Sequence, residues 1–192
     1  GVPDWYIGSC KKIKYLFPKA HAVAYVMMAL RIAWFKVYYP LAFYASYFYR
    51  RSQKGGFDAV LMTQGMEAIM ANMDAIETNE NASDKDEDLL TTMEVVYEYY
   101  LRGFEFLPID IYKSHATKFL VEDGKILPPF VAISGLGENA AWDLMRGREG
   151  KTFLSIEEVA AACPKVSKTH IQMLKDAGAF GSLPDTSQIS LF

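Results

Sequence analysis

Cysteine, histidine and net charge are all scarce in this chain of 192 residues. Its two cysteines, Cys10 and Cys163, cannot build a disulfide framework or an all-cysteine metal site, and their scarcity points to a reducing compartment. The three histidines, His21, His115 and His170, show no metal-ligand spacing. A charged-then-apolar leader is missing, and the first residue is Gly1 rather than Met, which points to a piece of a longer protein. An unbroken apolar run of the roughly 20 residues needed to span a bilayer is missing too. The segment 22–49 is very apolar but is interrupted by Arg31, Lys36 and Pro40. Cations are costly at the centre of a bilayer, so a buried helix pair is expected there and no membrane partner.

Apolar surface is abundant. The chain is 51% hydrophobic and 14% aromatic, enough to exclude a disordered chain, and its length allows one large domain or two small ones. The net charge of −3 hides a strong asymmetry. Residues 1–56 carry nine Lys and Arg against the single acid Asp4, residues 57–110 carry two against thirteen acids, and residues 111–192 are balanced at nine of each. The local field therefore says more about partners than the average does.

Periodicity and punctuation predict a mainly α chain. A helix apolar on all sides over 20–39 reads as buried. Pro40 ends it and starts another, to about Arg51, and Lys54-Gly55-Gly56 breaks the chain. A helix over 58–76, a polar loop over 77–88 and a helix carrying Leu89, Met93, Val96, Tyr97, Tyr100 and Leu101 follow, stopped by Gly103. Phe104 to Ile111 reads as β. Residues 119–127 read as a hairpin turning at Asp123-Gly124, and short helices separated by glycines complete the chain. No internal repeat of fixed period stands out, and a domain boundary is expected near 105–115.

The most informative local pattern runs from Ile133 to Arg148. It resembles the helix-hairpin-helix DNA-binding motif, with Gly135, Leu136, Gly137, Ala141, Leu144 and Arg148 in the motif's slots. Glycines leave amides bare, and a helix N-terminus behind them suits a phosphate. The expected contacts are the amides of Gly135, Gly137 and Glu138, helped by Arg148, on one DNA phosphate, read without regard to base sequence. The first helix of the motif must be short after Pro128-Pro129. A more degenerate second copy is expected over 166–180, around Lys168 and Gly178. Gly150-Lys151-Thr152 is not a phosphate-binding P-loop, because Met145 stands where that motif needs glycine. Asp84, Asp86 and Asp88 do not make a calcium loop, because Leu89 and Val95 occupy the glycine and glutamate positions. No complete catalytic site is visible.

Near the N-terminus, Lys11, Lys12, Lys14, Lys19 and His21 accompany aromatics at a helix start, with His21 and Tyr25 on one face at i, i+4. Such a cluster suits a polyphosphate beside a base. A solvated basic turn has the same composition.

Residues 18–25 and 39–45 (Pro-Lys-Ala-His-Ala-Val-Ala-Tyr and Tyr-Pro-Leu-Ala-Phe-Tyr-Ala) resemble the fingers of C-family replicative DNA polymerases. The opening Gly-Val-Pro-Asp-Trp-Tyr-Ile and the Cys-Lys-Lys-Ile-Lys-Tyr run at 10–15 are similar to the PolC type, the DNA polymerase III α subunit. The similarity continues through Ile126 to Phe130, Ser134 to Asn139 and Val166 to Lys168, and is loosest over 53–88. It implies the C-terminal end of such a polymerase: part of the fingers (1–108), a tandem helix-hairpin-helix duplex-binding domain (109–182) and a flexible sliding-clamp-binding tail (183–192). It implies nucleotide contacts at Phe17, Lys19, His21 and Tyr25, and DNA contacts at Gly135, Gly137, Glu138, Arg148 and Lys168. Clamp contacts fall at Gln188, Leu191 and Phe192, in a Gln-apolar-polar-Leu-Phe pattern. The partners implied are primer–template DNA, incoming dNTP, the β sliding clamp and other replisome subunits, in the cytoplasm. The Mg²⁺ ions of nucleotidyl transfer would be held by palm carboxylates outside this chain, so no catalytic residue and no metal is expected within it. The rival reading is a helix-hairpin-helix accessory or repair protein with a clamp-binding tail.

Overall fold

A computed structural model describes residues 1–13 and 18–187, so the candidate contacts at Phe17, Gln188, Leu191 and Phe192 lie outside the described residues. The chain forms two compact units, Gly1–Phe43 and the remainder from Tyr44 onward.

The first unit holds α1 (Asp4–Lys12) and α2 (Lys19–Tyr38). Asp4 in the first turn of α1 and Lys11 and Lys12 in its last suit the helix dipole. Pro18 is the N-cap of α2, and Tyr39 its C-cap just before Pro40. The expectation that α2 is buried fails: none of its residues is buried, and Leu30 and Val37 are 65% and 63% exposed. Apolar residues on every face only say that a helix can be covered, and within its own unit nothing covers this one. By length and composition α2 could cross a membrane, but Arg31 and Lys36 sit within it.

α3 (Pro40–Ser52) begins at Pro40, as the sequence predicts, and the unit boundary falls inside it. In the second unit its Tyr44 and Phe48 are wholly buried in an aromatic core. Phe48 lies 5.1 Å from Phe57, 5.5 Å from Phe106, 5.8 Å from Tyr99 and 6.0 Å from Phe119, ring centroid to centroid. Burying each such ring contributes about 1.5–3 kcal/mol.

The helix expected over 58–76 is broken. α4 (Ala59–Met62) and α5 (Met66–Glu77) are separated at Gly65, whose φ of 101° no helix accommodates. α6 (Asp84–Leu101) starts inside the expected polar loop, because Ser83 and Asp86 form a capping box there. Gly103 follows its end with φ 78°. Phe104 to Ile111 is not a strand. It makes one isolated bridge, Phe106 to Ile126, with Leu107 N–H donating to Ile126 O at 2.8 Å.

The hairpin is as expected: β1 (Leu120–Glu122) pairs antiparallel with β2 (Lys125–Leu127) across Asp123-Gly124, both with positive φ. A single 3-10 turn (Phe130–Ala132) leads to α7 (Glu138–Arg148), α8 (Ile156–Ala162) and α9 (Lys168–Asp176).

Candidate nucleic-acid interface

The first hairpin is built as the sequence predicts. The 3-10 turn at Phe130–Ala132 is all that Pro128-Pro129 allows of a first helix. Gly135 turns the chain with φ 89°, a conformation open to glycine, and a Cβ there would also meet Met173 Cε at 2.8 Å. Leu136 is buried and fixes the hairpin to the core. Gly137 is the N-cap of α7, and its carbonyl accepts from Ala140 and Ala141 N–H. Its φ of −74° is ordinary and nothing lies within 4 Å of its would-be Cβ, so its bareness serves access rather than geometry. The amides of Gly135, Gly137, Glu138 and Asn139 have no acceptor among the described residues. Gly135 and Gly137 line one wall of a cleft of about 320 Å³ whose other walls include Ser52, Gly55 and Lys85.

Arg148 does not join them. It lies at the far end of α7, about 16 Å along an 11-residue helix. Its guanidinium donates to Ile111 O at 2.6 Å and sits 5.5 Å from the Phe130 ring centroid. Partial burial pulls its pKa below the ordinary value, and Asp110 opposes that shift. It anchors the loop before the hairpin rather than sharing a phosphate with Gly135 and Gly137.

The second helix-hairpin-helix is α8, the turn Cys163–Ser167, and α9. Its turn and second helix fall in the expected 166–180 stretch, and Gly178 ends α9 with φ 70° while Ala179 N–H donates to Leu174 O. The two hairpins are thirty residues apart. Gly135-Leu136-Gly137 corresponds to Lys165-Val166-Ser167: Leu136 and Val166 are buried, and Gly137 and Ser167 are N-caps. Leu144 and Leu174 are both wholly buried. The packing is reciprocal. Asp143 on α7 accepts from Lys165 N–H at 2.8 Å, while its counterpart Met173 on α9 crowds Gly135. Each second helix thus holds the other's hairpin, which makes the pair a tandem with approximate twofold symmetry.

The second hairpin has no glycine. Ser167 Oγ instead accepts from His170 N–H at 3.2 Å, and His170 Nδ1 accepts from Ser167 N–H at 3.3 Å. The exposed Lys168 opens α9, and exposed Lys165 stands beside it. Lys165 escaped the sequence reading. Only the thirty-residue correspondence of buried Leu136 with Val166 and Leu144 with Leu174 exposes it.

α7 and α8 approach closely because Gly147 lacks a side chain. A Cβ there would stand 2.3 Å from Cys163 Sγ and 3.1 Å from Ala162 O. Burial, with Asp143 adding to it, pushes the Cys163 thiol up to about 11. On α2, Lys19 is the first helical residue, and the His21 and Tyr25 rings meet edge to face at 4.6 Å, as i, i+4 spacing predicts. Among the described residues, no group of three or more His, Cys, Asp or Glu could hold a metal.

A profile described as the helix-hairpin-helix motif matches residues 103–188. Three proteins named DNA polymerase III PolC-type align with the whole chain, from Thermotoga petrophila at 49% identity, Clostridium perfringens at 50% and Streptococcus suis at 48%. The chain spans only 13–14% of the length of these relatives. By similarity along its entire length, together with its tandem helix-hairpin-helix fold, the chain belongs to the PolC-type DNA polymerase III family, as a segment of it.

Proposed function

We propose that this segment is the duplex-holding part of a replicative DNA-directed DNA polymerase, joined to a piece of the fingers. The observation that carries this reading is the reciprocal pair of hairpins, each presenting a helix N-terminus. At Gly137 four bare amides meet a phosphate oxygen. At Ser167 the α9 N-terminus does so with Lys165 and Lys168 beside it. Hydrogen bonds to a charged group contribute about 1.5–3 kcal/mol each. Contacts of this kind read the DNA backbone and ignore its sequence, which suits an enzyme that must copy any template. The relatives' name favours the polymerase over an accessory or repair protein.

In this reading Lys19, His21 and Tyr25, with Phe17 just before them, meet the incoming dNTP, and the apolar faces of α2 are covered by the rest of the polymerase. The two Mg²⁺ ions that stabilise the attacking and leaving oxygens would be held by carboxylates outside this segment. Gln188, Leu191 and Phe192 form a peptide that inserts two apolar side chains into a pocket of the β sliding clamp. Burial of about 1.5–3 kcal/mol per side chain, less the cost of ordering the peptide, gives a micromolar, exchangeable contact that tethers the enzyme and its replisome partners to DNA.

Steady-state kinetics of the polymerase separate these roles. Gly135→Val raises the KM for primer–template and leaves the KM for dNTP unchanged. Lys19→Ala does the reverse. If neither variant moves its own KM, the assignment fails.

A further inference from the structure

Lys85 is out of character with the segment that carries it. Residues 57–110 hold thirteen acids and two cations, Lys85 and Arg102. Arg102 is engaged in the core: its guanidinium donates to Tyr44 Oη at 3.1 Å and lies 5.4 Å from the Phe104 ring centroid. Lys85 is exposed, makes no ion pair or hydrogen bond among the described residues, and lines the cleft of about 320 Å³ beside the first hairpin. On a helix its acidic partners would stand three or four residues away, and only Asp88 does. Asp88 is taken by Arg51, whose Nη2 donates to its carboxylate at 3.2 Å while Nε donates to Thr92 Oγ1 at 2.8 Å. Asp86 accepts from Ser83 N–H at 2.9 Å, and Asp58, across the same cleft, accepts from Val60 N–H at 3.0 Å. These carboxylates leave the Lys85 ammonium to the cleft.

We propose that Lys85 is a further phosphate contact of the first hairpin, holding the DNA backbone from the wall opposite Gly135 and Gly137. The proposal rests on the reading of that hairpin given above. The two walls supply different things. A helix N-terminus offers directed N–H groups but only a partial charge. A lysine offers a full charge on a flexible stem that follows the anion. Asp84 and Glu87, exposed in the first turn of α6, oppose an anion, and Lys85 offsets them where the cleft opens. The Asp58 carboxylate keeps an anion from sinking further, so the phosphate stays at the rim, where the rest of a duplex has room. The wall is also held in place. Arg51 ties the first turns of α6 to the end of α3, and its carbonyl accepts from Gly56 N–H at 3.0 Å, which fixes the turn that carries Gly55. The acidic segment thus enters the duplex grip through its one free cation among the described residues.

Duplex binding by the 192-residue chain is measured across salt for the unaltered sequence, Lys85→Gln, Lys85→Arg and Lys125→Gln. Lys85→Gln lowers the slope of log affinity against log salt by about one, so binding weakens about tenfold near 50 mM salt and little near 1 M. Lys85→Arg keeps both slope and affinity, because the charge stays. Lys125 pairs with Glu105 on the β-hairpin and does not line the cleft. Lys125→Gln removes the same charge from the chain and leaves the slope unchanged. An unchanged slope in Lys85→Gln, or an equal loss in Lys125→Gln, overturns the proposal, the second because the effect would then be one of net charge. Gly135→Val separates this proposal from the reading beneath it. If Gly135→Val weakens binding and Lys85→Gln does not, Lys85 alone is refuted. If Gly135→Val leaves binding intact, the hairpin is not the contact, and the proposal falls with that reading rather than by itself.

Discussion

Replacing Gly147 by alanine tests the packing that holds the two hairpins together, and the sign of the effect is diagnostic. Gly147 lies inside α7, where alanine is favoured over glycine by about 1 kcal/mol on helix propensity alone. If nothing stood close, the variant would be more stable. The added Cβ would instead fall 2.3 Å from Cys163 Sγ and 3.1 Å from Ala162 O, where contact distances of 3.4–4 Å are ordinary. Relieving that overlap means moving α7 away from α8 by more than 1 Å at the sulfur. Overpacking of this kind costs about 1–3 kcal/mol, and backbone at Ala162 puts Gly147→Ala in the upper half of that range. Less the propensity gain, the net loss is about 1–2 kcal/mol, a fall in Tm of about 2–8 °C for a domain of this size. Thermal unfolding followed at 222 nm reads it directly. Cys163→Ala removes the nearest obstacle, so Gly147→Ala is milder in that background, with a coupling of about 1 kcal/mol in a double-mutant cycle. A rise in Tm in Gly147→Ala, or strict additivity with Cys163→Ala, would refute the close approach.

Other outcomes follow from the same packing. Asp143→Ala strips Lys165 N–H of its acceptor in a partly buried place and costs about 1 kcal/mol, whereas Asp143→Asn, which keeps an oxygen there, is milder; chemical denaturation of the two variants ranks them. Cys163 has a thiol pushed up to about 11 and is wholly buried, so at pH 8 iodoacetamide labels only the half-exposed Cys10 until denaturant is added, as mass spectrometry counts. Burial raises the Tyr99 and Tyr100 phenols above their unfolded value of 10.0, Tyr100 to about 12. A raised folded value gives a contribution that is whole below pH 10 and is lost as pH climbs toward 12, so with respect to these two groups Tm is level from pH 8 to 9 and falls above 10, while the phenolate absorbance near 295 nm rises.

Features set by local backbone demands were legible in the sequence. Asp123-Gly124, Pro40 and the Gly135-Leu136-Gly137 hairpin each ask for a conformation that few residues adopt, and each stands where the residues put it. The face of α6 was equally plain, because Met93 and Val96 repeat at helical spacing and are both buried. What escaped depended on distant partners. α2 is apolar all round, which says nothing about where its cover comes from. Phe104 and Phe106 alternate as a strand would, but they serve as packing for Tyr99, at 5.4 and 4.6 Å, and pair with no long neighbour. The second hairpin falls at the start of the expected 166–180 stretch, but it turns without glycine, using the Ser167 hydroxyl and the His170 ring instead, so its first residue, Lys165, was missed. Arg148 fitted its motif slot, yet the slot is the end of a helix, and its length separates Arg148 from the amides at the start.

In the proposed function two helix N-termini, one bare and one flanked by lysines, grip duplex DNA by its backbone. The measurement that tests it most directly is duplex binding by this chain as a function of salt, on two unrelated sequences, for the unaltered chain, Gly135→Val and Lys168→Ala. Equal affinity for both sequences is expected, with log affinity falling linearly with log salt. Lys168→Ala lowers the slope by about one, because one fewer counterion is displaced. Gly135→Val weakens binding about tenfold or more at every salt with the slope kept, the loss of one to two charge-assisted amide contacts. Affinity and slope unchanged in both variants would contradict it.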